Sequence, residues 1–192
     1  MTQINIEGAS VHVTRAARKT ISIQIKPDGI YVRAPLRMSD AKIESFLDSK
    51  SDWIRKHIRM VAEQKAVAKN LQPYTYDEMR ELAAKALEVL PNRVSYYAKI
   101  MGVDYGNITI RNQRTRWGSC SSKGNLNFNC LLMLLTDDII DSVIVHELCH
   151  RKHMNHSPQF YAEVEKVFPD YQRCHRWLKE NGGIYLSRLP QR

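Results

Sequence analysis

His146, Glu147 and His150 are the residues of this chain best placed to do chemistry. They stand in the run His146-Glu147-Leu148-Cys149-His150. On a helix, side chains four apart share a face, so both imidazoles can turn toward one ion. Glu147 lies about 100° round the helix from His146, where it reaches a water on that ion without becoming a ligand. Two imidazoles and a non-ligating carboxylate at this spacing are the parts of a helical zinc site for hydrolysis, with Glu as the general base.

A zinc ion that acts on a substrate needs a third protein ligand and one open position. His153 and His156 are the candidates. His153 continues the helical face, but at about 1.5 Å of rise per residue it starts roughly 10 Å along the axis from His146. His156 follows Met154-Asn155, and Asn readily takes the left-handed conformation that ends a helix. The expectation is that the chain turns there and brings His156 back. One zinc per chain is then held by His146, His150 and His156, with His153 beside the site or in solvent.

The helix that must carry the motif is apolar on most of its circumference. Thr136 reads as its N-cap, with Asp137 and Asp138 in the first turn, where they complement the helix dipole. Ile139, Ile140, Val143, Ile144, Val145 and Leu148 then cover nearly the whole helix, as in one buried at the centre of a domain. Unpaired His and Glu there would cost roughly several kcal/mol, a cost that coordination removes. Two core histidines satisfied by hydrogen bonds are the alternative. Cys149 points away from both histidines and reads as a packed thiol. Ser157-Pro158 looks like the start of a further helix, Ser as N-cap and Pro at its first position. Helices are expected at about 157–167 and 170–181.

Composition fits a small soluble enzyme. At 192 residues and 43% apolar content there is enough for one globular unit with a real core. No apolar run approaches the length of a membrane span and no signal-peptide pattern opens the chain, so the expected compartment is the cytoplasm. Cys120, Cys130, Cys149 and Cys174 are scattered and do not read as a disulfide frame or a structural zinc site. The formal net charge is +9. Basic residues cluster at Arg15, Arg18 and Lys19, along Lys50, Arg55, Lys56, Arg59, Lys65 and Lys69, and at Arg111, Arg114 and Arg116. Such clusters attract nucleic acid or an acidic substrate, or are ordinary solvated surface.

Three sections follow along the chain: 1–36, 37–102 and 103–192, expected to form one compact unit. In the first, Ile4, Ile6, Val11, Val13, Ile21, Ile23, Ile25, Ile30 and Val32 alternate with polar residues, and Pro27-Asp28-Gly29 makes a turn. It reads as a small antiparallel sheet. From Ser39, an N-cap, the period becomes helical, with Ile43, Phe46, Leu47, Trp53, Ile54, Ile58 and Val61 as the buried stripe. Lys69 to Tyr74, with Pro73, is a break. A long helix from about Asp77 to Met101 is expected to break near Pro91 and to close at Gly102. In the third section, Ile108–Arg111 and Leu126–Asn129 are strands, with a Lys123-Gly124 turn between them.

The run Arg116-Trp117-Gly118-Ser119-Cys120-Ser121-Ser122-Lys123-Gly124-Asn125-Leu126-Asn127-Phe128-Asn129 sits ahead of the metal helix. Asn155-His156-Ser157 and Pro169-Asp170-Tyr171 come after it. Together with His146–His150, Ile21–Pro35 and Trp53-Ile54, these residues resemble the YgjP-like metallopeptidase family across nearly the whole chain. That family is related to the SprT and WLM zinc peptidases and belongs to the zincins. The resemblance implies an α+β fold: a zincin-like minimal metallopeptidase core of a small antiparallel sheet plus the active-site helix, with an N-terminal β-subdomain and a helical linker region. It implies zinc on His146, His150 and His156, Glu147 as catalytic base, and peptide or protein substrates. It leaves His153 outside the ligand positions. It also places the Leu126–Asn129 strand near the cleft, where an extended peptide can pair with a strand edge.

Further cleft or oxyanion-stabilising residues are expected among Arg116, Trp117, Asn129, Tyr161, Tyr171 and His175, with Arg173 also considered. The competing class is a nucleic-acid-associated protein whose zinc is structural; the SprT kinship also suggests a protease recruited to DNA. Weak, non-specific nucleic-acid binding and no membrane contact are the expectations for partners.

Overall fold

The computed structural model describes residues 5–6, 8–26 and 28–190. Ile4 and Pro27, assigned from the sequence to a strand and a turn, lie outside the described residues. The chain divides into two compact units, Met1–Asn70 and Leu71–Arg192. Their boundary falls in the break that contains Pro73. The units do not coincide with the three sections 1–36, 37–102 and 103–192: residues 37–70 group with the amino-terminal strands, and 71–102 with the rest.

In the first unit, strands β1 (Asn5–Ile6), β2 (Ala9–Ala16), β3 (Ser22–Lys26) and β4 (Gly29–Pro35) form one sheet in the order β1-β2-β4-β3. It is mixed rather than antiparallel. β3 and β4 make the expected hairpin, but β2 runs parallel to β4, with Val13 opposite Val32. Alternation tells which face of a strand is buried and carries no information on its direction. Ile30, Val32 and Ala34 of β4 cluster with Ile43 and Leu47 of helix α1 (Asp40–Ser49) and Ile54 of helix α2 (Ser51–Lys69). Trp53, expected in that stripe, is instead 42% exposed. It stacks on His57, ring centroids 3.9 Å apart. The helix is interrupted at Lys50, and the restart at Ser51 turns Ile54 and Ile58 inward in place of Trp53.

The second unit begins with α3 (Tyr76–Met101), which starts at Thr75 with a reciprocal capping box to Glu78 and ends on Gly102 in the left-handed conformation, φ 64°. The helix runs unbroken through Pro91, against expectation. Proline frees the carbonyl four residues back. Here that residue is Leu87, 58% exposed, so water can take the bond. Leu90, Val94, Ala98 and Met101 are buried and hold the helix in the core on both sides of Pro91.

Strands β5 (Ile108–Arg111), β6 (Gly118–Cys120) and β7 (Leu126–Asn129) follow, in the order β5-β7-β6. This sheet too is mixed: β5 is parallel to β7, and β6 antiparallel. β6 is not apparent from the sequence because Gly-Ser-Cys has no apolar pattern. Its presence overturns one expectation. β7 is hydrogen-bonded on both sides, so a peptide cannot add to Leu126–Asn129; the sheet edge that packs against the metal-site helix is β6.

After a buried 3-10 turn (Cys130–Leu134), α4 (Asp137–Cys149) runs through the core, followed by α5 (Pro158–Val167) and α6 (Tyr171–Ser187). α4 packs against α3, α5, α6 and β6. As expected it is buried nearly all round, from Ile139 to Cys149. Thr136 occupies the N-cap position, but its hydroxyl makes no capping bond there and engages Asp138 instead. Arg93 of α3 ties down the amino-terminal half of α4 through Asp137 at 2.6 Å and Asp141 at 2.8 Å. Tyr97 donates to Asp141 at 3.0 Å. No described helix is long and apolar enough to cross a membrane.

The Tyr97 bond has a pH signature. Burial first, and then the Asp141 carboxylate, push the phenol from 10.0 up to about 12. Its contribution to stability is therefore complete below pH 10 and disappears as pH climbs toward the folded-state value. Unfolding measured from pH 9 to about 12 should show a fall in stability over that window that is shallower in Tyr97→Phe than in wild type.

Candidate metal centre

α4 ends at Cys149, with His150 as its C-cap in right-handed conformation, φ −62° and ψ −15°. The helix therefore stops before His153, well short of the turn expected at Asn155. The chain leaves through a tight turn in which the amides of Arg151, Lys152 and His153 donate to the last carbonyls of the helix. Ser157 then caps α5 by accepting from the Phe160 amide at 3.3 Å, with Pro158 at the first position, as expected. This corner returns His156 to the helix.

The ring nitrogens of His146, His150 and His156 all lie within 4.8 Å of one another, and these residues form the metal-binding group found among the described residues. His156 Nε2 sits 3.1 Å from His146 Nε2. His150 Nδ1 lies 3.1 Å from the His153 carbonyl. A carbonyl only accepts, so Nδ1 carries the proton and Nε2 is left with a bare lone pair. His146 Nδ1 lies 2.7 Å from the Tyr171 hydroxyl, which is itself 3.3 Å from His175 Nδ1. With Nδ1–H donating to Tyr171, the Nε2 of His146 is also bare. Phe160, fully buried, supplies a common floor: its ring centroid is 4.9, 4.8 and 4.9 Å from those of His146, His150 and His156.

The electrostatics favour the ligand form. Burial, followed by the neighbouring imidazoles, pushes His146 down to about 3, so it is neutral at any ordinary pH. Burial also lowers His150. The Nε2 atoms of His146 and His156, 3.1 Å apart, need a proton or a cation between them. Zinc bonded to imidazole at about 2.0–2.1 Å in tetrahedral geometry holds its nitrogens about 3.3 Å apart. The residues present thus fit a zinc ion in number, protonation and spacing.

Glu147 lies outside this histidine group and is only 6% exposed. Burial pushes its carboxyl up to about 8, against the opposing pull of Arg116 and a backbone hydrogen bond from Cys120. β6 makes room for it: a side chain at Gly118 would place its Cβ 2.7 Å from both Cγ and Oε1 of Glu147. Gly118, Phe160 and the His153 carbonyl carry no sequence signal of their roles. Nothing in a residue's type announces which group the fold will bring against its backbone amide, its carbonyl or the space of a missing Cβ.

A family model described as YgjP-like, metallopeptidase domain, matches residues 19–81 and 78–181. The chain belongs to the YgjP-like metallopeptidase family. Membership makes it a peptidase-type hydrolase acting on peptides or proteins, with a metal cofactor. Among solved structures it is similar to the metallopeptidase zymogen jannalysin of Methanocaldococcus jannaschii, at 20% identity and a TM-score of 0.42 over 46% of this chain and 91% of that one. It is also similar to the metallopeptidase zymogen abylysin of Pyrococcus abyssi, at 24% identity and a TM-score of 0.42 over 48% of this chain and 98% of that one. No curated protein matches the chain.

A cleft of about 360 Å³ opens onto His146 and Glu147 between the β6 segment and α6. Of the residues considered for it, Arg116, Trp117, Tyr171 and His175 line it. Trp117 packs on Gly182, where any Cβ would sit 2.9 Å from its Nε1. Tyr171 is 2% exposed, and its hydroxyl is engaged behind His146 rather than free for a substrate. Tyr161 stacks beside His156, ring centroids 6.2 Å apart. Asn129 is not in the cleft. It is fully buried, its Nδ2 donating to the Gln113 and Arg116 carbonyls and its Oδ1 accepting from the Leu131 amide. Arg173 pairs with Asp138 at 2.7 Å and Asp170 at 3.3 Å. Cys149 is a packed thiol against the Phe160 carbonyl.

Two outcomes follow for zinc affinity, measured by competition with a chelator. His156→Ala should weaken binding far more than His153→Ala, because His153 reaches the centre through its carbonyl and the substitution leaves that in place. Tyr171→Phe should keep the ring packed but remove the oxygen that orients His146, lowering affinity by about 10–100-fold. Equal affinities for wild type and His156→Ala would show that the third ligand lies elsewhere.

Proposed function

We propose that this chain hydrolyses peptide bonds with one zinc ion held by His146, His150 and His156 and with Glu147 as general base. The observation that carries the reading is the convergence of three imidazole nitrogens beside a buried carboxylate that is not part of their group. A structural zinc site is closed by four protein ligands, whereas three ligands leave a position for chemistry. Zinc bound there supplies a water acidified to a pKa of about 7 and a Lewis acid for the substrate carbonyl.

The chain's own residues do the rest. Glu147 takes the proton of the attacking water and delivers it to the leaving amine. Burial pushes its carboxyl above the usual glutamate range, and the ionised form is a stronger base than an exposed glutamate. The Cys120 amide and the bare face of Gly118 fix where that carboxylate points. Tyr171 and the His153 carbonyl orient two imidazoles and keep their Nε2 lone pairs free. Arg116, Trp117 and His175 are among the polar groups that the cleft, which Thr115 and Lys179 also line, offers to a developing oxyanion. The four free thiols suit the reducing cytoplasm.

Glu147→Gln tests the assignment. Glutamine keeps the size and can still hydrogen-bond a water, but it cannot take the proton. Zinc content and folding should survive while cleavage of a peptide found by a cleavage screen falls by roughly a hundredfold or more. Cleavage at the wild-type rate by a zinc-loaded Glu147→Gln protein would remove Glu147 from the mechanism.

A further inference from the structure

Arg111, Arg114 and Arg116 line a second cleft of about 1020 Å³, together with Asn112, Gln113 and Asn127. All three arginines are exposed. None takes part in an ion pair among the described residues, although Arg15, Arg80, Arg93, Arg151 and Arg173 each have a carboxylate partner. Arg116 already acts on the Glu147 carboxyl, but no acid lines this cleft beside Arg111 and Arg114, so a carboxylate entering it meets guanidinium groups that have no carboxylate partner.

The segment that carries them is held in place. The fully buried Asn129 donates from Nδ2 to the Gln113 carbonyl at 2.6 Å and the Arg116 carbonyl at 3.2 Å. Its backbone amide donates to the Trp117 carbonyl at 2.8 Å. The Cys130 thiol donates to Asn112 Oδ1 at 3.1 Å. Two adjacent buried residues thus anchor the loop through all four of these bonds. Arg111 is steered by its bond to Asn127 Oδ1 at 3.5 Å, and Arg114 by the Pro190 carbonyl. Such pre-organisation lowers the ordering cost of binding.

The cleft also adjoins the metal centre. Thr115 and Arg116 line both it and the cleft that opens on His146 and Glu147. A peptide lying across the centre can therefore place a neighbouring side chain among the arginines. We infer that this cleft is a specificity subsite that takes an acidic side chain, Asp or Glu, of the peptide being cleaved; the inference rests on the peptidase reading of the metal centre. A nucleic acid is the other polyanion such a cleft could take, but no aromatic ring lines it to stack a base.

The test uses zinc-loaded full-length Glu147→Gln protein, which holds a peptide without cleaving it, and fluorescence anisotropy. Labelled peptides carrying Glu and Asp along their length are compared with twins carrying Gln and Asn. The acidic peptide should bind about tenfold tighter at low salt, a margin that shrinks as salt rises. Adding Arg111→Gln and Arg114→Gln should abolish the margin. Should that combination fail to fold, Arg114→Gln alone, at an exposed position, should narrow it. In the wild-type enzyme the acidic peptide should show the larger kcat/KM. Equal binding of the two peptides, or a margin that survives both arginine substitutions, would overturn the subsite. So would a single-stranded oligonucleotide that binds tighter than the acidic peptide and depends on the same arginines. Acidic selectivity in binding with no cleavage of any peptide by the wild type would instead refute the peptidase reading and leave the cleft standing as an acid-binding site.

Discussion

The structure depends on one constraint: a helix buried almost all the way round carries two histidines and a glutamate. Groups of that kind, withdrawn from water, must find partners or lose their charge. Here both happen. His146 is held neutral far below its usual range, and Glu147 is held well above the carboxylate range, in each case mainly by burial. The same desolvation thus keeps one residue in the neutral form a ligand needs and raises the proton affinity of its neighbour. An exposed helix with the same five letters would provide neither.

The surroundings of α4 follow from this demand. Each buried polar group on it meets a specific atom: the Tyr171 hydroxyl behind His146, the His153 carbonyl behind His150, the Cys120 amide against Glu147. Two of these are backbone atoms, and the third belongs to a buried ring at the start of α6, so all three are fixed by the fold. Gly118 matters for what it lacks, since any Cβ would occupy the space of the Glu147 carboxylate. Asn129 does similar work farther from the metal centre. By holding the carbonyls of the 112–117 segment from the core, it fixes the wall of the cleft and the arginines on it.

Much of this is legible in the chain, for identifiable reasons. The i, i+4 histidines on an apolar helix, the Ser157-Pro158 corner, the Gly102 stop and the packed Cys149 are local signals, each carried by residue type and spacing. What is not legible is non-local or carried by the backbone. Alternating Val and Ile residues mark strands but not the parallel pairing of β2 with β4, since register and direction belong to the partner. Gly118–Cys120 has no apolar period, so nothing in the sequence marks β6. Without β6, Leu126–Asn129 seems to offer an edge that it does not have. Pro91 carries an intrinsic helix-breaking weight, which an exposed Leu87 and the burial of Leu90, Val94, Ala98 and Met101 outweigh. Asn129 resembles a cleft residue because it ends a motif beside the site; only the structure places its amide in the core. His156 returns to the helix for a reason other than the expected one, because the helix ends at Cys149 and not at Asn155.

The most direct measurement is X-ray absorption at the zinc edge on protein purified without an affinity-tag metal, with the metal content measured alongside. The account predicts one zinc per chain, a first shell of nitrogen and oxygen scatterers at about 2.0–2.1 Å with the multiple scattering of three imidazoles, and one further light ligand. A shell containing sulfur at about 2.3 Å, four protein ligands with no exchangeable position, or a protein that neither contains nor takes up zinc would contradict it.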